Sequence, residues 1–225
     1  MIKITPLEQW HCLNRQALAQ QEIWLGFVAK NEALPVMPLS KLEKIRLANM
    51  QSEKRAQEFS RGRFALRYAL SLLLGCDVDV EILPDAFGRL YLPKFLAVKI
   101  SLSHFDGNVL IGVADNCSML GVDLVLPRYN AGLKLAKRIL TKVEYDAWSL
   151  LPVKRQQDFL FQTWAMKEAL IKAFGGSVWD MRKWQINPQI EQGDQREVFF
   201  NGDKLDFNIF LEIKFNLWLS AAWRD

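Results

Sequence analysis

The chain has 225 residues, of which 50% are hydrophobic and 24% charged. This composition is typical of a globular protein with a sizeable core, and it excludes disordered and fibrous classes. The formal net charge of +4 is spread along the chain. It is weak support for nucleic-acid binding, and it fits equally well a pocket for a polyanionic small molecule or a site for an acidic partner.

The first half of the chain predicts a helical stretch followed by strands. A buried strand is predicted at 23–29. Ser40 with Glu43 forms a capping-box pattern, and the helical stretch then runs, with a break, from about Leu42 to Leu74, where Gly75 is a natural stop. Further strands are predicted at 78–83, 89–92, 98–104, 109–114 and 120–126, with a hairpin turn at 106–108. Consecutive strands joined by short turns favour an antiparallel sheet.

The second half predicts helices first and strands afterwards. The helices cover 131–140, 143–151 and about 154–174, where Gly175 and Gly176 end the last one. Strands alternate from 184 to 223, with a turn at 201–203. The order helix, glycine, strand, turn, strand around 55–92 recurs around 154–213, as it would in a duplicated α+β unit.

Cysteines and apolar runs restrict the remaining classes. Cys12, Cys76 and Cys117 stand far apart, and the chain has two histidines. A zinc cluster of the usual spacing is therefore excluded, and reduced thiols are expected. No apolar run approaches the roughly 20 residues that a membrane-spanning helix needs, and the first residues lack a signal-peptide core. A soluble, cytoplasmic protein is predicted.

The segment FLFQTWAMKEALIKAFGG, residues 159–176, is the most informative. On a helix, Glu168 and Lys172 are spaced i, i+4 on one face beside Trp164 and Phe161. One interpretation is an ordinary helical ion pair, which stabilises a helix only slightly. The apolar surroundings favour a functional site, because unpaired charge among apolar side chains is costly.

Four other features are each open to a plain structural interpretation. Asp123 lies in an aliphatic strand, where aspartate is disfavoured unless a cation, a metal or a backbone donor pairs with it. Ser103 and His104 end a strand, and Arg89 follows a turn glycine. A basic run lies on the first long helix, and solvated surface charge is the default expectation for its members Arg55, Arg61, Arg63 and Arg67.

Taken in order, these segments resemble the 4'-phosphopantetheinyl transferase superfamily, in particular its longer, surfactin-synthetase-activating type. The motifs of that type are G-K-P, S-H, G-[VI]-D-[IL]-E and F-x-x-x-W-x-x-K-E-[AS]-x-x-K. They correspond here to Gly88-Arg89, Ser103-His104, Gly121-Val122-Asp123-Leu124 and the stretch from Trp164 to Lys172. The last motif is specific and the first is weak. The resemblance covers roughly residues 55–176.

The resemblance implies a fold and a reaction. The expected fold is α+β, a pseudo-twofold pair of similar halves, 1–118 and 119–225, each with a long helix on a mainly antiparallel sheet. The second half would carry the metal site, and the active site would lie in the cleft between the halves. A monomer that binds neither nucleic acid nor membrane would move the phosphopantetheine arm of coenzyme A to a serine of an apo acyl, peptidyl or aryl carrier protein. Mg²⁺ would be required, and 3',5'-ADP would be released.

The resemblance also assigns roles to residues. Asp123 and Glu168 would hold the metal, and Glu168 would accept the serine proton. Lys172 would balance charge on the pyrophosphate, as a third catalytic group beside Glu168 and His104. The remaining coenzyme contacts would come from Ser103, His104 and Arg89, and one of Arg55, Arg61 and Arg63 would meet the 3'-phosphate.

Two departures from the family pattern leave alternatives open. Val125 replaces the acid that ends the third motif, and Leu90 replaces the proline of the first. Asp106 would supply a substitute acid if its turn pointed inward. Lys167 matches the last motif and would serve packing or the partner. A degenerate paralogue that binds coenzyme A or a carrier protein without transfer, and a basic nucleic-acid-binding module, are the competing hypotheses.

Overall fold

The structure is a computed structural model that describes residues 4–6, 23–74, 80–115, 117–127, 132–187, 196–214 and 216–224. The chain divides into two compact units, Met1–Cys117 and Ser118–Asp225. Each combines helices with mainly antiparallel sheets, which confirms the predicted α+β class. Among the described residues, no helix is both long and apolar enough to cross a bilayer.

The described residues of unit 1 form two helices and six strands. They are β1 (Ile4–Pro6), β2 (Trp24–Val28), α1 (Lys41–Ala48), α2 (Glu53–Leu74), β3 (Leu83–Pro84), β4 (Leu90–Tyr91), β5 (Lys99–Phe105) and β6 (Asn108–Ala114). The main sheet has the order β1-β2-β6-β5, in which β1 and β2 are parallel and the other pairs antiparallel. Helix α2 packs on β5 and β6 through a buried apolar stripe at helical spacing, which contains Ala65, Leu66, Ala69, Leu70 and Leu73.

Unit 2 begins with a strand and continues with helices before its remaining strands. Its elements are β7 (Met119–Val125), α3 (Leu133–Ile139), α4 (Lys142–Leu150), α5 (Val153–Phe174), a 3₁₀ helix (Val178–Lys183), β8 (Trp184–Ile186), β9 (Val198–Phe200), β10 (Asp203–Leu205), β11 (Asn208–Lys214) and β12 (Leu217–Arg224). Two antiparallel sheets form, with the orders β11-β12-β7 and β10-β9-β8. Helix α5 packs mainly on β7 and β12.

Local sequence signals fix several boundaries as predicted. The hydroxyl of Ser40 accepts from the Glu43 amide, and the Glu43 carboxylate accepts from the Ser40 amide, so α1 begins with the predicted capping box. Gly175 ends α5 with φ 97°, a conformation that favours glycine. Asp106 and Gly107 have φ of 47° and 82°, as a type I' hairpin turn requires.

Other expectations need correction or lie outside the described residues. The strand predicted at 78–83 is wrong for residues 80–82, which pair in no ladder, whereas Leu83–Pro84 forms β3; residues 78 and 79 lie outside the described residues. Gly75, Cys12 and Cys76 lie outside the described residues. Asp106 does not point inward, since it is half-exposed and its carboxylate accepts from Lys30 Nζ at 2.8 Å.

Candidate active site

Strand β7 and helix α5 of unit 2 approach each other closely at Gly121. A Cβ atom at this position would lie 2.0 Å from the carbonyl oxygen of Ala169 and 2.4 Å from the amide nitrogen of Ala173. Both atoms belong to the backbone of α5, so glycine is the residue that allows β7 to lie directly on the helix. Side chains two positions apart share a strand face, and Asp123 therefore faces α5 as well.

This contact brings three of the predicted site residues together. The ammonium group of Lys172 lies 2.7 Å from Oδ1 of Asp123, with the Asp123 side chain 7% exposed and the Lys172 side chain 30% exposed. Glu168 precedes Lys172 by one helical turn, so both side chains project from the same side of α5. Two acids and a lysine from distant segments thus converge at the β7–α5 contact.

The electrostatics of Glu168 show that its carboxylate is poorly compensated. Burial, together with the nearby charge of Asp123, raises the pKa of Glu168 from 4.5 to about 7, although Lys172 opposes both effects. A carboxyl group held near neutrality by desolvation and a second acid is typical of a functional site. The site would accept an additional cation, since that cation would relieve the repulsion between Glu168 and Asp123.

Two carboxylates suit Mg²⁺, which usually takes one or two from the protein and completes its shell with phosphate oxygens and water. Within the described residues, no three Asp, Glu, His or Cys side chains form a metal cage. Val125, at the place of the family's third acid, contributes no ligand atom. The arrangement thus fits a divalent ion that shares its coordination sphere with an anionic ligand.

Lys167, which precedes Glu168 in the motif, does not belong to this cluster. Its side chain is fully buried and lies against the equally buried carboxylate of Glu144, with Nζ 2.5 Å from Oε2. Burial lowers the pKa of Lys167, and Glu144 raises it in opposition. The sequence analysis did not single out Glu144, although its place three residues after Thr141 matches a capping box.

The predicted phosphate contacts Ser103 and His104 lie on β5 of unit 1. Ser103 is buried, whereas the His104 side chain is 38% exposed and its Nδ1 lies 3.9 Å from Oε2 of Glu58 on α2. The sequence analysis missed Glu58, because a lone acid on an amphipathic helix carries no distinguishing pattern. Arg89 is held in its turn by Asp85, with Nε 2.7 Å from Oδ2.

The basic run on α2 is mostly internal, and the expectation of solvated surface charge is wrong for two of its members. Arg63 and Arg67 are buried and share the carboxylate of Glu43, at 3.2 Å and 2.5 Å. Burial lowers the pKa of Arg63 to about 10, an effect that Glu43 opposes. These residues pack inward because they lie on the α2 face that meets α1.

The other two arginines of the run differ from each other. Arg61 donates to the carbonyl groups of Gly107, Ala29 and Glu32 at 2.5–2.9 Å and so braces the loops of unit 1. Arg55 is exposed near the start of α2. A continuous basic surface for nucleic acid is therefore missing from α2, since Arg55 is the one exposed residue among these four arginines.

Carboxylates converging with a lysine on an α+β scaffold define a protein suited to hold a divalent cation beside an anionic ligand. Residues 119–219 match the family model of the 4'-phosphopantetheinyl transferase superfamily. Since that region contains β7 and α5, the second unit of the chain carries a domain of this superfamily, as its motifs predicted.

Three relatives illustrate the similarity. The 4'-phosphopantetheinyl transferase HetI of Nostoc sp. is 29% identical over 135 residues, which are 58% of this chain and 56% of HetI. A putative 4'-phosphopantetheinyl transferase of Synechocystis sp. is 29% identical over 171 residues, 72% of this chain and 67% of the relative. A holo-[acyl-carrier-protein] synthase of Mycoplasma mobile is 42% identical over 60 residues, 26% of this chain and 53% of the relative. The matches thus span from about half to two thirds of these relatives.

Proposed function

We propose that the protein transfers the 4'-phosphopantetheine moiety of coenzyme A to a serine of an apo carrier protein. The convergence of Asp123, Glu168 and Lys172 is the observation that carries this proposal. The names of the relatives support the same reaction class. Coenzyme A and an acyl or peptidyl carrier protein are accordingly the proposed substrates, and the longer, surfactin-synthetase-activating type is the proposed subfamily.

The reaction needs charge neutralisation more than covalent chemistry, since phosphoryl transfer depends mainly on positioning and electrostatics. The serine Oγ forms a bond to the β-phosphorus of coenzyme A, and the bond from that phosphorus to the bridging oxygen breaks. The bridging oxygen leaves with 3',5'-ADP, and the serine proton passes to a base. Mg²⁺, when bound, would stabilise the charge of the pyrophosphate.

Residues of unit 2 would bind the metal, accept the serine proton and balance the charge of the pyrophosphate. Asp123 and Glu168 would hold the ion, and Glu168 would accept the serine proton directly or through water, a role for which a pKa near 7 is well matched. Lys172 would exchange its contact with Asp123 for the pyrophosphate, or bridge both.

Unit 1 would bind the nucleotide portion of coenzyme A. Ser103 and His104 are the proposed phosphate contacts, and Oε2 of Glu58 lies 3.9 Å from Nδ1 of His104. Arg63 keeps two donors, Nε and Nη1, without a hydrogen-bond partner among the described residues, which supports an anion contact there. Arg55 and Arg89 remain further candidates, and the placement of the active site in a cleft between the halves remains part of this proposal.

A second candidate is a degenerate paralogue that binds coenzyme A without transferring its arm. The observation in its favour is Val125, where the family pattern has an acid. A two-carboxylate site would hold Mg²⁺ more loosely than a three-acid site. Under this hypothesis Val125→Glu would create activity that the natural protein lacks.

Intact-mass measurement of an apo carrier protein incubated with coenzyme A and Mg²⁺ tests the proposal. The expected result is a mass increase of one phosphopantetheine group. Asp123→Asn and Glu168→Gln should each lower the rate by about 10²-fold or more. The matched control is Glu197→Gln, which alters a partly exposed acid paired with Lys204 and should leave the rate unchanged. Wild-type rates in both site variants would refute the assignment.

A further inference from the structure

Lys167 belongs to the Trp-Lys-Glu motif, but the proposed reaction assigns it no role. Its side chain has no exposed surface, so it does not contact coenzyme A or a carrier protein from outside. Its ammonium group instead donates to Oε2 of Glu144 at 2.5 Å and to the carbonyl oxygen of Ile139, at the end of α3, at 2.8 Å.

The carboxylate of Glu144 joins several elements at one buried point. Oε2 accepts from the Thr141 amide at 2.7 Å and closes the capping box of α4, while Oε1 accepts from the Ile186 amide of β8 at 2.8 Å. With Lys167 added, one carboxylate links the start of α4, strand β8 and helix α5. The link is rigid, because each partner is a backbone group or a fully buried side chain.

The pair lies on the side of α5 roughly opposite the Gly121 contact. At about 100° per residue, Lys167 is about 160° away from Ala169, whose carbonyl group faces Gly121. Glu168 falls between these two anchored sides. Rotation of α5 about its axis would break either the ion pair or the close contact with β7, so the two anchors together fix the direction of Glu168.

We infer that Lys167 and Glu144 form a positioning pair that fixes the rotation of α5 and thereby aims Glu168 at Asp123. A contribution to stability alone is a poor explanation, since replacing a buried ion pair by neutral groups of similar size is often neutral or stabilising. The role assigned to Glu168 rests on the proposed function, whereas the geometric effect of the pair does not.

The test compares neutral and shortened pairs with a matched surface pair. Lys167→Met combined with Glu144→Gln removes both charges and keeps similar side-chain volumes. Glu144→Asp keeps both charges and shortens the link by one methylene group. This variant replaces the double variant in the test if the double variant does not fold. Lys142→Met combined with Asp146→Asn is the control, because it changes an exposed ion pair on the same helix α4. Thermal unfolding and circular dichroism select the folded variants.

Affinity for Mn²⁺ in the presence of coenzyme A, measured by calorimetry, is the first readout. The folded pair variants should bind Mn²⁺ about 10–100-fold more weakly than wild type, with the control unchanged. The second readout is carrier loading, where kcat should fall by a similar factor and the KM for the carrier protein should stay unchanged. A folded pair variant with wild-type Mn²⁺ affinity and kcat would overturn the inference.

The two proposals fail differently. A wild-type protein that loads no carrier, but whose Mn²⁺ affinity drops in the pair variants, would refute the transferase proposal and leave the positioning pair standing. If wild type loads carriers and the pair variants are equally active, the transferase proposal stands and the positioning pair is refuted. Absence of Mn²⁺ binding by wild type would overturn both.

Discussion

Replacing Gly121 by alanine perturbs the contact on which the geometry of the site depends. The added Cβ would lie 2.0 Å from the carbonyl oxygen of Ala169, whereas ordinary contact begins near 3.4 Å, so about 1.4 Å of space is missing. The second clash, 2.4 Å to the amide nitrogen of Ala173, is also with backbone. No side-chain rotation relieves either clash, and β7 and α5 must move apart.

Two measurable effects follow from that displacement. Overpacking of a core typically costs about 1–3 kcal/mol of unfolding free energy, and a clash with backbone belongs at the upper end of this range. The displacement would also break the 2.7 Å contact between Lys172 and Asp123. A misplacement of about 1 Å at a reacting centre can lower the rate by about 10²-fold.

Urea unfolding and carrier loading measure these effects on the same preparations. Gly132→Ala is the control, because a Cβ there meets no atom within 4 Å. We expect Gly121→Ala to lose both stability and activity and Gly132→Ala to keep its activity. Wild-type stability and rate in Gly121→Ala would show that the strand–helix contact does not constrain the site, and the account of Asp123 would fail.

Three further predictions concern two buried charged groups and the number of acids at the metal site. Because the folded-state pKa of Glu168 is about 7 and its ordinary value is 4.5, the folded protein binds more protons in that range, and its stability falls as pH rises through it. The difference in unfolding free energy between metal-free Glu168→Gln and wild type, measured by urea unfolding, should therefore increase by about 3 kcal/mol in favour of the variant between pH 4.5 and pH 8. Equal pH profiles of the two proteins would contradict the burial of this acid. Arg67→Met leaves Glu43 with one fewer cation and should cost about 3–5 kcal/mol, whereas a loss below about 1 kcal/mol would argue against a buried pair. Val125→Glu should tighten Mn²⁺ binding measured by calorimetry, and unchanged affinity would place residue 125 outside the ion's reach.

Elements marked by local signals were predictable from the sequence. The Ser40 capping box, the Gly175 helix end and the Asp106–Gly107 turn each depend on the conformational preferences of a few neighbouring residues. Their placement therefore needed no tertiary information. The strand predicted at 78–83 differs, because alternation over six residues does not supply a partner strand, and Leu83 is the one described residue of that range that lies in a ladder.

The candidate site was predictable in residue type but not in its supporting contacts. Asp123 and the helix of Glu168 and Lys172 carry recognisable motifs, so their convergence was expected. The Glu144–Lys167 link joins residues 23 positions apart, and neither residue differs in sequence from a solvated charge. The same holds for Arg63 and Arg67, since helical periodicity does not tell which charged face a second helix will cover.

Loading of an apo carrier protein with and without a chelator tests the central claim most directly. Intact-mass spectrometry would follow the carrier in the presence of coenzyme A, first with EDTA and then with increasing Mg²⁺. The account predicts no phosphopantetheine addition with EDTA, complete addition with Mg²⁺, and loss of the Mg²⁺ response in Asp123→Asn. Equal loading of the carrier with EDTA and with Mg²⁺ would contradict it.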